Sequence, residues 1–180
     1  LSRNYLNNTQ KKYFNNIEDE SMKNLDYFSG EGDIRFRYEN NTTNKNKLRI
    51  SYGGGSEFSR YRNKTFRKFY TNGGVESDLY TTNLAFFKFS LFGQVSKSYL
   101  EERLKVSFGL RTDVNTYSGE MLNPLKQLSP RFSASYSITK ALSLNFSTGR
   151  YFQLPPYTSL GLKDDEGRYV NKDNGIKYIT

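Results

Sequence analysis

The sequence predicts an all-β fold, an antiparallel sheet of about six long strands, on three observations. Apolar and polar residues alternate with period two along most of the chain. The links between alternating segments are short and long in turn. The composition is rich in aromatics, with 15 Tyr and 14 Phe, while hydrophobic residues total only 35% of 180 positions. A helical or α/β core needs more Leu, Ala, Val and Ile than that, and a disordered chain carries few aromatics.

Side chains along a strand point to alternate faces, so period two means one apolar and one polar face. Ile34, Phe36 and Tyr38 alternate with Arg35, Arg37 and Glu39. Leu48, Ile50 and Tyr52 alternate with Arg49, Ser51 and Gly53. Phe87, Phe89, Leu91 and Val95 form one face of a third segment. From Leu104 to Arg111 the even positions are apolar, and Phe132, Ala134, Tyr136 and Ile138 share a face opposite Arg131 and serines. Leu142, Leu144 and Phe146 alternate with Ser143, Asn145 and Ser147. The expected strands are 31–40, 46–59, 81–97, 102–117, 127–139 and 141–152. They suit the roughly 9–11 residues with which a tilted strand crosses a bilayer.

Short links are expected at Asn40–Lys45, Ser98–Glu101 and Thr139–Ala141. Long polar links are expected at 60–80, at Ser118–Lys126 and after Gln153, and residues 1–30 read as an external loop with a strand end near Lys11–Phe14. Short periplasmic turns alternating with long extracellular loops are the pattern of transmembrane barrels. A soluble sandwich shares the two-faced strands but gives no reason for this alternation.

Three further features favour a barrel in lipid. The polar faces carry small residues, Ser107, Gly109, Ser133, Ser135, Ser137, Ser143, Ser147 and Gly149, as suits a lumen packed against another domain. Tyr99, Tyr117, Tyr151 and Phe152 fall at strand ends, where interfacial aromatic girdles sit. Six strands alone would leave two open edges and a large apolar face, which continuation into a larger barrel removes.

The chain has no Cys and no His. Disulfides, thiolate metal sites, Ser-His-Asp triads and Cys-His dyads are excluded within it. The net charge is +9, but the cations are scattered and form no nucleic-acid reading motif. No run approaches 18 apolar residues, and the first residues lack a signal peptide's apolar core. Either the protein is soluble and cytoplasmic, or this is an internal piece whose targeting signal lies upstream.

The run Leu128-Ser129-Pro130-Arg131-Phe132-Ser133-Ala134-Ser135-Tyr136 resembles a recurring barrel segment of TonB-dependent receptors, where an external loop ends at Ser-Pro-Arg. Thr139-Lys140-Ala141-Leu142-Ser143-Leu144 is similar to that family's tight periplasmic turn, and Ser147–Tyr157 to its next strand and following loop. Phe108–Asp113 resembles another barrel strand, and Tyr169–Ile179 a loop of the Bacteroidetes forms. The specific resemblance covers residues 84–180. It implies that residues 1–180 are a partial barrel domain, incomplete at both ends and without a plug, from a barrel of about 22 strands. It also implies a bacterial outer-membrane location and uptake of an unidentified small ligand. The implied partners are outer-membrane lipid, a plug domain of the same parent chain and, through that parent, the TonB complex.

Several residues invite sharper readings. Gly53-Gly54-Gly55 has no following Gly-Lys-Ser/Thr, so it reads as a bulge, a bend or close approach of a plug rather than a phosphate loop. Asp164, Asp165, Glu166 and Asp173 could offer Ca²⁺ oxygens but lack EF-hand spacing, and a solvated loop is expected there, as for Glu18-Asp19-Glu20. Arg35, Arg37, Arg49, Lys105, Arg111, Arg131 and Arg150 lie on polar faces, as lumen lining or as a positive surface for an anionic ligand or plug carboxylates. The sequons at Asn63 and Asn145 are incidental in a bacterial protein, and Pro155-Pro156 ends a strand. No catalytic, cofactor or metal residue is assigned. The leading expectation is a receptor and transporter barrel. The alternatives are a passive or structural outer-membrane barrel and, third, a soluble β-sandwich carbohydrate-binding module; an enzyme is disfavoured.

Overall fold

A computed structural model describes residues 2–11, 22–164, 166–173 and 175–180. The elements are β1 (Ser2–Lys11), β2 (Lys23–Thr43), β3 (Leu48–Thr71), β4 (Gly74–Tyr99), β5 (Leu104–Asn115), α1 (Gly119–Leu122), β6 (Ser129–Ser137), β7 (Ser143–Gly149), α2 (Tyr157–Leu160) and α3 (Val170–Asp173). The seven strands form one sheet in chain order, a meander that is unclosed among the described residues. No described helix is long and apolar enough to cross a membrane.

Register explains why the faces separate so cleanly. Val95 pairs with Phe108, Phe108 with Phe132, and Phe132 with Thr148. One step along, Leu104 meets Tyr136 and Tyr136 meets Leu144. Apolar residues of successive strands therefore line up on one side, where Phe36, Leu91, Phe108, Leu144 and Phe146 are all exposed. The opposite positions pair Ser107 with Ser133, Ser133 with Ser147 and Arg131 with Gly149. Water penalises an apolar row of this extent, and such a row matches the lipid-facing side of a transmembrane barrel wall.

The strands differ from the sequence reading in three places. Residues 60–80 are not a loop: β3 and β4 run on to a tight turn at Asn72-Gly73, because Arg, Lys, Thr and Asn alternate there with no apolar face to mark a strand. The presumed external loop at 1–30 contains β1 and the start of β2, and β1 pairs with β2 from Ser2–Asp33 to Lys11–Lys23. The expected strand end reaches Lys11; Phe14, with Glu18-Asp19-Glu20, lies outside the described residues. The girdle expectation also divides. Tyr99 ends β4 and is exposed, whereas Tyr117 is buried and Tyr151 stacks on the polar-face Arg131. Residues 117 and 151 follow the last paired position of their strands, so alternation no longer fixes their direction.

The chain divides into two compact units. The first comprises Leu1–Ile34, Phe58–Phe86 and Tyr157–Asn171, and the second Arg35–Glu57, Phe87–Pro156 and Lys172–Thr180. In the first, Tyr61, Leu84, Phe86 and Leu160 are the buried apolar residues among those described. Tyr157 of α2 packs on Tyr61 and Phe86, with ring centroids 5.6 and 5.8 Å away. The hydroxyls of Tyr80 and Thr82 both donate to the Gly161 carbonyl, and Tyr169 donates to the Asn83 carbonyl at 2.6 Å. The 157–171 segment is thus held by its backbone as well as its rings.

In the second unit three turns close β2–β3, β4–β5 and β6–β7. Lys47 and Glu102 pair at 2.7 Å between the first two turns. Arg103 donates to the carbonyls of Ser137 at 3.2 Å and Ile138 at 2.8 Å, tying in the third. A small core forms around the β5–β6 connection. Buried Asn115 accepts from the Tyr117 amide at 2.9 Å and donates to the Tyr178 hydroxyl at 2.8 Å. Fully buried Met121 sits in α1, whose N-cap Ser118 accepts from the Met121 amide.

Candidate ligand-facing surfaces

Four of the seven basic polar-face residues come together. Arg35, Arg37, Arg111 and Arg131 line one pocket of about 510 Å³ in the second unit, with Glu57, Lys88, Asp113, Phe92 and Tyr178. Alternation brings them there: each sits at a polar-parity position of its strand, and register stacks these positions side by side. Arg111 pairs with Ser129 and Gly109 with Arg131. Arg49, Lys105 and Arg150 do not line this pocket. Arg150 stacks on Phe152 and lies beside Lys126, Lys177 and Glu120 instead.

Most of this charge is compensated locally. Glu57 bridges Arg35 at 2.7 Å and Lys88 at 2.6 Å. Arg111 makes a two-pronged pair with Asp113, both contacts 2.6 Å, the geometry in which a guanidinium binds a carboxylate most strongly. Arg37 pairs with Glu39 at 2.7 Å and stacks on Phe92. Arg131 differs: its Nε is buried with no hydrogen-bond partner among the described residues, and its guanidinium lies 4.7 Å from the Tyr151 ring centroid. The wall is therefore a mosaic of ion pairs rather than a uniformly positive field. The sequence reading missed Glu57, Lys88 and Asp113, whose odd charges among apolar and Gly-rich neighbours were the available signal.

A second pocket, about 300 Å³ and within the first unit, is lined by Tyr27, Tyr61, Tyr80, Asn63, Arg67 and Asp78 among others, with Thr158 and Leu162 from the covering segment. Tyr61 is buried at the pocket's inner edge. Aromatic faces beside amide, hydroxyl and charged groups can stack on and hydrogen-bond a polar ligand. Sequence reading placed this region in a featureless loop.

The remaining expectations resolve individually. Gly53 and Gly55 lie inside β3 against neighbouring backbone; a Cβ at 53 would fall 2.3 Å from the Tyr38 carbonyl oxygen, and one at 55 would fall 2.9 Å from that of Phe36. The close approach is by β2. Asp164 caps a turn, accepting from the Glu166 amide and from the Arg168 amide and Nε. These bonds, that from the Arg168 amide first, hold its carboxyl below the ordinary range. Asp165 lies outside the described residues, as does the Asp173 side chain.

A meander of long strands, hydrocarbon-facing on one side and polar on the other, is the wall of a transmembrane β-barrel. Residues 1–175 match the family described as TonB dependent receptor-like, beta-barrel, and the chain belongs to that family. No curated protein and no solved structure matches it significantly. The family comprises outer-membrane receptors and transporters, not enzymes.

Proposed function

We propose that this chain is a partial barrel domain of an outer-membrane receptor, supplying wall and ligand-facing surface for uptake of a small ligand. A plug of the same parent chain would fill the lumen, and the TonB complex would supply the energy. The observation that carries the reading is the joint alignment of an exposed apolar row and a pocketed polar face across one sheet. The ligand acts by binding and gating, since the surfaces offer stacking, hydrogen bonds and charge but no nucleophile–base pair among the described residues.

The chain has no native Cys, so single cysteines placed in it, within a complete receptor cleared of any other Cys, give a clean test. In intact cells, Cys at Phe108 or Leu144 should react only with a membrane-soluble maleimide, and Cys at Ser133 or Ser147 with a water-soluble one. The opposite pattern rejects the wall. Calorimetric titration of siderophores, vitamins, glycans and peptides should then find one class whose binding is lost in Tyr61→Ala/Tyr80→Ala. Steady ion conductance in planar bilayers, with no binding, would favour a passive barrel.

A further inference from the structure

The outward face changes chemistry along β3. This single strand carries Leu48, Ile50 and Tyr52 at even positions, then Arg60, Arg62 and Lys64 in the same series. These three cations are exposed, while the intervening Ser59, Tyr61 and Asn63 are buried on the side that α2 covers. The basic side chains therefore point away from the interior of their unit.

On β1, Arg3 pairs with Gly32 and Tyr5 with Gly30. The Tyr5 ring lies over Gly30, where an added Cβ would come within 3.0 Å of it, and stacks on Phe28 at 6.2 Å. With no side chains on the two glycines, β2 forms the floor of a trough of about 260 Å³. Arg3 and Tyr5 rim one side and Arg60 and Arg62 the other, with Glu31 at the margin. Strand spacing sets the two rims about 10 Å apart, and Arg60 and Arg62 about 7 Å from each other. Among the described residues, the side chains of Arg3, Arg60 and Arg62 make no hydrogen bond or ion pair. Lys64 acts on Asp26, which Lys23 already pairs at 3.1 Å.

We propose that this trough binds the phosphate groups of an anionic glycolipid headgroup in the outer leaflet. A residue series that meets hydrocarbon along one part of a strand meets headgroups where its apolar run ends. Two or three guanidiniums at this spacing suit phosphate, which they chelate with parallel hydrogen bonds. Tyr5, stacked on Phe28, supplies the amphipathic aromatic ring favoured at that depth. Among the described residues no carboxylate pairs with Arg3, Arg60 or Arg62 as Glu57 and Asp113 pair with the arginines of the polar face, so their charge is available to a lipid.

The test uses the complete receptor in neutral detergent, titrated with a bisphosphorylated glycolipid and its dephosphorylated form and read by native mass spectrometry. The phosphorylated lipid should remain bound as a discrete adduct, about tenfold or more tighter than the dephosphorylated one. Arg3→Ala/Arg60→Ala/Arg62→Ala should reduce retention to the dephosphorylated level, with folding confirmed by heat-modifiable gel mobility. If that variant does not fold, the comparison of the two lipids on the unaltered receptor decides alone. Equal retention of both lipids, undiminished retention by a folded triple variant, or full displacement by millimolar inorganic phosphate would overturn the assignment.

Discussion

Phe108 of β5 and Phe132 of β6 stand directly opposite one another, and their rings are 56% and 38% exposed. Two facing phenylalanines left this open, within a row of exposed apolar neighbours, suit the lipid-facing side of a barrel wall. Phe108→Arg should therefore destabilise the barrel in lipid vesicles by about 2–4 kcal/mol, as a cation in the hydrocarbon layer does. Ser133→Arg, exposed on the polar face, should change stability by less than about 1 kcal/mol. Urea titration in vesicles measures both, and equal effects would mean that the two faces meet the same medium.

Much of this was legible in the sequence for a physical reason. Between Leu104 and Phe146 one medium is apolar and the other polar, so alternation reports the strands almost residue by residue. Where the outward face turns basic and the buried face mixes Tyr61 with Ser59 and Asn63, as at Ser59–Lys64, the contrast vanishes although the hydrogen-bonded ladder persists. Register was also invisible: which arginines share a pocket depends on pairings such as Gly109 with Arg131. The burial of Tyr61 depends on the 157–171 segment, a contact almost a hundred positions away in the chain.

The Gly53 position tests how tightly β3 is packed. Its missing Cβ would meet the Tyr38 carbonyl oxygen at 2.3 Å and the Phe92 ring at 2.9 Å. Gly53→Ala should cost about 1–3 kcal/mol, since backbone on one side cannot yield as a flexible side chain can. Gly93 has nothing within 4 Å of such an atom, and Gly93→Ala should be neutral or stabilising by up to about 1 kcal/mol. Paired unfolding titrations separate the two, and matching costs would refute close approach at Gly53.

The burial of the Tyr178 hydroxyl beside Asn115 predicts an alkaline transition. Burial pushes the Tyr178 hydroxyl from its usual value of 10.0 up to about 12, against the opposing effect of the Asn115 bond. A group whose pKa rises on folding stabilises fully below its unfolded pKa and loses that contribution as pH climbs through the folded one. Contacts of the β5–β6 connection should therefore hold to about pH 10 and loosen between about 10 and 12. Pulsed hydrogen exchange, with labelling time corrected for intrinsic rate, should show this around Ser118–Met121. Tyr178→Phe should weaken those contacts at neutral pH and remove the transition; a transition that survives would belong to another group.

The 157–171 segment is fastened at Gly161, whose carbonyl accepts from both Tyr80 and Thr82. Either hydroxyl alone still satisfies the oxygen, so Tyr80→Phe or Thr82→Val should each cost no more than about 1 kcal/mol. Removing both leaves a carbonyl without these partners, and the double variant should lose about 1–3 kcal/mol, more than the two single costs together. Gly161→Ala attacks the same clasp sterically, because its Cβ would sit 2.4 Å from Thr82 Cγ2. Limited proteolysis should cleave within 157–171 fastest in the double variant and in Gly161→Ala, while cleavage at the Asn72-Gly73 turn stays unchanged. Strictly additive single effects would show that the two hydroxyls do not share one acceptor.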